Sequence, residues 1–225
     1  MCICIIPARS GSKRIKNKNV QKINGVPIIA ITIEIAKKSK LFKRIIVSTD
    51  CPKIAKIARK NGAEVPFLRN KKLSDDHTPI FEVLIDAIKR IGTQNEKFHF
   101  CIYPTSILIS KKDLKMALLK IIKTKTEYIS PIAEFGNNPY RSFIIKNSHI
   151  KFAWPSYQLK RSQDLNKLYY DTGSFFIYKT KALLKASAKK IIPKKSTYII
   201  LKKKLIDVNV PKDLKLLKKL FLKYT

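Results

Sequence analysis

Residues 26–50 read VPIIAITIEIAKKSKLFKRIIVSTD, and the assignment of their first half decides the fold. The segment 26–38 is rich in β-branched residues, which locally favour a strand. RIIVSTD (44–50) is a strand by content and ends in a polar turn. Upstream, CICIIP (2–7) is a short apolar run, a buried strand by length and composition. Two parallel strands need a crossover of a dozen or so residues, usually a helix. Residues 27–38 are therefore expected to be helical against their propensity. Pro27 would take the first helical position, where a missing N–H costs nothing.

Working outward, the alternation repeats. CPKIAKIARKNG (51–62) reads as a helix stopped by Gly62, followed by a short strand, AEVPF (63–67). PIFEVLIDAIKRIG (79–92) sets Ile80, Val83, Leu84, Ala87, Ile88 and Ile91 on one helical face. FHFCIY (98–103) is a strand, KKDLKMALLKIIK (111–123) a helix and EYISPIA (127–133) a strand. Residues 134–172 break the rhythm with Pro139, Trp154, Pro155 and short alternating pieces, and read as an inserted β-hairpin arm. GSFFIYK (173–179) returns to the sheet, and a short helix follows. Residues 197–201 and 204–208 look like short strands, and 211–223 closes as an amphipathic helix. The expectation is one α/β domain over 1–225: a Rossmann-like, mainly parallel sheet with helices on both faces and an inserted arm.

Length and an ordinary hydrophobic content of 45% suit one soluble domain. The charge is less ordinary: 48 Lys plus Arg against 15 Asp plus Glu, a formal +33. Clustered cations suggest a polyanion. Here the lysines are scattered from end to end beside abundant Ile and Asn, as coding bias would produce. The aromatics do not interleave with them as a stacking platform requires. This pattern disfavours a nucleic-acid partner. Cys2 and Cys4 share a strand face, and Cys51 and Cys101 do not form the second close pair a zinc site wants. Free thiols in a reducing compartment are expected. No stretch approaches the ~20 apolar residues of a membrane span. A cytoplasmic protein with no membrane partner is the expectation.

The chemistry concentrates after the first strand, in IIPARSGSKRIKNKN (5–19). Residues 8–22 carry Arg9, Lys13, Arg14, Lys16, Lys18 and Lys22 and no acid. Ligands of open α/β sheets bind beyond the carboxyl ends of strands, where this loop falls. Backbone N–H groups and cations there can hold anionic oxygens. The loop is neither a Walker A sequence nor GxGxxG, since Gly11 stands alone. An anion site and a solvated basic turn both remain open on these residues alone.

The stretch also resembles the opening signature of the CMP-sugar synthetases, roughly IPARxGSKxxxxKN. NGVPII, IIVSTD and LSDDHT follow as they do in that family. CIYPTSIL (101–108) and RSQDL with YYDTG (161–173) resemble the branch acting on pseudaminic acid. The sialic acid branch has Gln where this chain has Tyr103. The resemblance runs along essentially the whole chain. It implies a nucleotide-diphospho-sugar transferase type of fold and a cytidylyltransferase. CTP and a nine-carbon 2-keto sugar acid would be the substrates, with Mg²⁺ as cofactor. CMP would pass to the anomeric hydroxyl and pyrophosphate would leave. The arm at 134–172 would be a dimerisation element of a homodimer.

Residue by residue, the resemblance implies that Arg9, Gly11, Ser12, Lys13, Lys18, Asn19 and Arg69 bind nucleotide. Arg9, Lys18 and Asp207 would be catalytic. Arg161, Gln163 and Asp171 would line the sugar side, reaching across a dimer. The family closes its sheet with D-x-D-x-P-x-D, and this chain reads IDVNVPKDL (206–214). Asp207 is present and Asn209 replaces the second acid, so Asp207 and Asn209 are the implied metal ligands. An amide oxygen can coordinate Mg²⁺ but brings no charge. Asp213 reads as a first-turn helix acid. Asp75 and Asp76 fit either a loop near the nucleotide or a cap before the helix at 79–92. His77, His99 and His149 read as edge, strand and arm residues. Three other readings stay beside the leading one: CMP-N-acetylneuraminic acid synthesis, a basic nucleic-acid-binding protein, and a CTP binder slowed at Asn209.

Overall fold

The computed structural model describes residues 2–224. Strand β1 (Cys2–Pro7) and β4 (Phe42–Ser48) pair in parallel, joined by α1 (Ile28–Ser39). Between them lies a small antiparallel ribbon of β2 (Lys22–Ile23) and β3 (Val26–Pro27). The helix over 28–39 forms despite its β-branched content because Ile28, Ile29, Ala30, Ile33 and Ala36 are buried on one side. Each fully buried Ile contributes about 1.5–3 kcal/mol, which outweighs a few tenths of propensity per residue. Pro27 stands one place earlier than expected, as the extended N-cap. Lys40, in the left-handed region, ends the helix.

The chain continues through α2 (Pro52–Lys60), α3 (Ile80–Arg90), β5 (Phe98–Ile102), α4 (Lys111–Lys123) and β6 (Tyr128–Glu134). The hairpin β7 (Phe143–Lys146) and β8 (His149–Phe152) follows, then β9 (Tyr169–Asp171) and β10 (Phe175–Lys179). The last elements are α5 (Thr180–Leu183), β11 (Ser196–Ile200) and α6 (Pro211–Tyr224). The main sheet runs β11-β6-β10-β5-β1-β4, with β9 also on β6. Pairs β1–β4, β1–β5 and β6–β11 are parallel; β10 is antiparallel to both β5 and β6.

Side-chain alternation sends the strands into two cores. Cys2, Cys4 and Ile6 join Phe100 and Ile102 under α1, α2, α4 and α6. Ile3 and Ile5 join Cys101 and Tyr178 under α3 and α5. Both faces are therefore covered, as parallel strands require. All four cysteines are free thiols.

Three expectations need correction. Residues 63–67 make only the parallel bridge Ile46–Glu64, so they are not a full strand. Residues 204–208 form no strand. After Leu201 bonds to the Ile132 carbonyl, the chain leaves the sheet edge, and Leu205 and Val208 are buried three apart rather than in alternation. The end of the arm, Tyr169–Asp171, pairs with β6 and belongs to the main sheet. Pro131 is tolerated inside β6 because it lies where the antiparallel ladder passes from β10 to β9. There its carbonyl accepts the Thr172 hydroxyl at 3.1 Å.

The arm is a true hairpin. Asn147 and Ser148 both take positive φ, as a two-residue type I′ turn needs. Ile145 is 76% exposed and Ile150 67%. No helix among the described residues is long and apolar enough to cross a membrane.

Candidate active site

A cleft of about 380 Å³ opens where β1 and β5 end. The strand ends deliver Pro7, Arg9, Tyr103, Pro104 and Thr105 to it, and the start of β10 delivers Gly173. Lys18, Asn19, Arg69, Asp171 and Asp207 complete the polar lining, with Asp75, Asp76 and Thr78 on the rim of α3. Segments from five parts of the chain thus meet at one point. Of the expected site residues, Arg9, Lys18, Asn19, Arg69, Asp171 and Asp207 are gathered here.

The basic loop is held from below. Asp50, just past β4, accepts the Ser10 N–H at 2.8 Å and the Ser10 hydroxyl at 2.6 Å. The buried Asn19 amide donates to the Arg9 carbonyl at 2.9 Å. These bonds fix the backbone that presents Arg9. Its guanidinium pairs with Asp76, and Lys13 Nζ meets the other Asp76 oxygen at 2.7 Å. Hydrogen bonds from Lys13 and Arg9 pull the Asp76 carboxyl down to about 2. Gly11 and Ser12 do not line the cleft, and Lys13 reaches its rim through Asp76. Asp75 instead closes the turn at 75–78, accepting from His77 and Thr78, while Pro79 is the N-cap of α3.

Lys18 donates to the Val208 carbonyl at 2.8 Å, which ties the first loop to the segment carrying Asp207. Burial pushes its ammonium below the usual lysine range, and Asp207 pulls the other way. Arg69 is only 5% exposed, yet its Nε and one terminal nitrogen have no hydrogen-bond partner among the described residues. Its charge is opposed by burial and supported mainly by Asp50. Buried donors of a guanidinium left unsatisfied cost stability unless something accepts from them. An anionic or carbonyl oxygen in the cleft would do so.

On the far wall, Gly173 has φ +58°, and a Cβ placed there would lie 3.0 Å from the Asp207 Cβ. A side chain at 173 is excluded twice, by backbone conformation and by contact. Asp171 accepts the Gly173 N–H at 3.0 Å. This turn therefore brings two carboxyl-bearing segments together.

The donor set can be compared with what Mg²⁺ requires: oxygen ligands, often one or two carboxylates completed by phosphate and water. Asp207 Oδ2 accepts from the Asn209 amide at 2.7 Å, while the Asn209 oxygen accepts from Arg14 at 3.0 Å. Asn209 does not line the cleft, and a cation already engages its oxygen. Asp207 and Asp171 are the carboxylates of its far wall, while Asp75 and Asp76 on the rim are engaged by Thr78 and by Arg9 and Lys13. No group of three or more His, Cys, Asp or Glu gathers as a metal cage among the described residues. The set fits a hard cation carried mainly by substrate phosphates. Asp213 caps α6 as expected, accepting the N–H groups of Asn209 and Val210 at 2.9 and 2.8 Å.

Arg161 and Gln163 are not brought to this cleft within the chain. They lie in an exposed turn of the arm, where Arg161 pairs with Asp164 at 2.7 Å. Sequence reasoning missed the anchoring role of Asp50, the Asp76 pairs and the contact of Arg14 with Asn209. Asp50 was within reach, since it stands just past a strand's carboxyl end. Asp76 and Arg14 meet partners 67 and 195 residues away, which no local pattern encodes.

Comparison with known proteins agrees with this architecture. The family model described as "Cytidylyltransferase" matches residues 3–220. The chain is 35% identical over 222 residues to the pseudaminic acid cytidylyltransferase of Campylobacter jejuni subsp. jejuni serotype O:23/36 (strain 81-176), covering 97% of this chain and 95% of the relative. It is 30% identical over 236 residues to the CMP-N,N'-diacetyllegionaminic acid synthase of Legionella pneumophila, with 97% and 95% covered. Among solved structures, a CMP:2-keto-3-deoxy-manno-octonic acid synthetase in complex with CTP superposes with a TM-score of 0.74. That pair is 15% identical and covers 100% of this chain and 99% of the other, which establishes the shared fold. With the family model spanning nearly every element that builds the cleft, the chain belongs to the cytidylyltransferase family and is a nucleotidyltransferase.

Proposed function

We propose that the chain transfers CMP from CTP to the anomeric hydroxyl of a nonulosonic acid, pseudaminic acid foremost, and releases pyrophosphate. The observation that carries this reading is the meeting of Arg9, Lys18 and the unsatisfied Arg69 with Asp171 and Asp207 in one cleft. The relatives named above, one for pseudaminic and one for diacetyllegionaminic acid, support the sugar class.

The reaction asks for charge control more than covalent chemistry. The hydroxyl oxygen attacks the α-phosphorus in line, and the bond to the pyrophosphate oxygen breaks. The hydroxyl proton is lost to a base at the cleft, a role given to Asp171 or Asp207 on its far wall. Arg9 and Lys13 offset charge on the triphosphate once it takes them over from Asp76. Lys18, preset by the Val208 carbonyl, adds a cation at the junction with Asp207. Arg69 donates its free N–H groups to the nucleotide. Mg²⁺ would be held by Asp207, aided by Asn209 only if that amide releases Arg14, and would neutralise the phosphates. The arm would pair two copies in a cytoplasmic homodimer and carry Arg161 and Gln163 toward the partner's sugar site. Its exposed Ile145 and Ile150 support that role, and free thiols suit the compartment.

Calorimetric titration of CTP tests the reading. Wild type should bind CTP in preference to UTP, and Arg69→Met should weaken binding roughly 10- to 100-fold, as expected for losing charge-assisted bonds. Equal binding by both proteins would reject the role given to this cleft.

A further inference from the structure

The excess charge is not spread as evenly over the folded molecule as along the chain. Residues 111–125 and 194–204 carry 11 lysines, no arginine and a single acid, Asp113. Folding brings these two segments together. The ladder between β6 and β11 puts residue 196 opposite residue 128, and the Glu127 N–H donates to the Lys195 carbonyl at 2.7 Å. Lys203 pairs with Asp113 at the start of α4, and Asp113 is also consumed by the capping box with Ser110. That is the only ion pair of these segments among the described residues.

The flank also exposes apolar side chains in register with the lysines. On α4 the outward positions are Lys115, Met116, Leu119, Ile122 and Lys123, spaced as one helical stripe. Leu119 is 57% exposed. Beside it runs β11, the free edge of the sheet, with Tyr198 and Ile200 exposed. Lys120 joins the two elements, its ammonium 4.5 Å from the centre of the Tyr198 ring. None of these residues lines the cleft, which opens over β1 and β5.

We propose that this α4–β11 flank is a docking surface for anionic lipid membrane, holding the enzyme at a bilayer surface with its cleft open. Charge complementarity selects an anionic partner, since the lysines have almost no acids to answer them. The aliphatic tips select hydrocarbon over a phosphate backbone. Long lysine stems suit that boundary, keeping the ammonium among headgroups while the methylenes lie over apolar surface. A nucleic-acid surface would call for arginine forks or aromatic platforms, and the flank offers no arginine and one tyrosine. The absence of a spanning helix among the described residues bears on crossing a membrane and leaves contact with its surface to be tested. The patch is assembled from segments some 70 residues apart, and no single stretch shows it. The proposal stands independently of the reaction proposed above.

The test is co-sedimentation of the full chain with vesicles of phosphatidylcholine alone or mixed with phosphatidylglycerol. Two double variants are compared, Leu119→Ser with Ile122→Ser and Lys115→Gln with Lys123→Gln. All positions are exposed, and thermal unfolding checks that each variant keeps its fold. The expected result is binding to the anionic vesicles only, reversed by high salt, and lowered roughly 10- to 30-fold by either pair. Turnover in solution should stay unchanged in both variants. Failure to sediment, or sedimentation untouched by both pairs, would overturn the proposal. So would a loss seen with the lysine pair alone, matched by competition from duplex DNA, because the flank would then be a plain polyanion patch. A change in oligomeric mass in the variants would assign the edge to a second copy instead, and would equally overturn it.

Discussion

Gly173 is the residue on which the far wall turns. Its φ of +58° and the 3.0 Å approach of Asp207 leave no room for a methyl group. Gly173→Ala must therefore displace the backbone that positions Asp171 or push Asp207 aside. The expected outcome is a fall in kcat of about tenfold or more, with stability lowered by roughly 1–2 kcal/mol from backbone strain. Steady-state kinetics beside urea unfolding separates the two effects. Asn209 poses the opposite question. Its amide bridges Asp207 and Arg14, so the position expected to bind metal is occupied by protein contacts. Asn209→Asp would set a second carboxylate beside Asp207 and raise affinity for a divalent cation. The Mg²⁺ concentration giving half-maximal rate should fall several-fold, by analogy with added ligand charge at a hard-cation site. An unchanged Mg²⁺ dependence would remove Asn209 from the metal's surroundings altogether.

At the scale of elements, β5 carries a buried titratable group with no part in the cleft. His99 has both ring nitrogens in hydrogen bonds, to Thr93 at 2.9 Å and Thr180 at 2.8 Å, so α5 and the end of α3 are tied to the sheet through it. Burial drives its pKa down to about 4 from 6.5. The unfolded chain then binds a proton that the folded chain refuses between those values. Stability from this group is complete above about pH 6.5 and is lost progressively as pH falls to about 4, by at most about 3 kcal/mol. Urea midpoints of the wild type should drop through that window. His99→Gln, which cannot titrate, should lose the His99 share of the slope even if it is less stable overall.

The same elements show what the residue pattern conveys and what it omits. The crossover at 28–39 was legible because a neighbouring strand on each side demanded a helix, whatever its β-branched content. The hairpin arm was legible from its short alternating pieces, but its two-residue turn at Asn147 and Ser148 was established only by the fold. The direction of β10 was not, since alternation of period two is the same for parallel and antiparallel strands. Residues 204–208 looked like a strand by content. Only the fold reveals that they lack a ladder partner and instead carry Asp207 across to Gly173. In the cleft, the loop residues Arg9, Lys18 and Asn19 were recognisable from a local signature. The contacts that orient them, Asp76 on Arg9 and Val208 on Lys18, depend on distant segments.

For the whole molecule, the proposed pairing of two copies is tested at the arm. Ile145 and Ile150 lie exposed on a hairpin, and Arg161 and Gln163 do not reach this chain's own cleft. A second copy would bury the first pair and give the second pair a site. Sedimentation velocity should show a dimer, and Ile145→Lys with Ile150→Lys should yield a monomer with strongly reduced turnover but CTP binding intact. A wild-type monomer with full activity would restrict the arm to another role.

The reaction itself is tested by pyrophosphate release from CTP and Mg²⁺ with pseudaminic, N-acetylneuraminic, legionaminic and 3-deoxy-manno-octulosonic acids, beside a control without sugar. Release should depend on a nine-carbon acid, be fastest with pseudaminic acid and be absent without sugar. No release with any of the four acids, from protein that is folded and saturated with CTP, would contradict it.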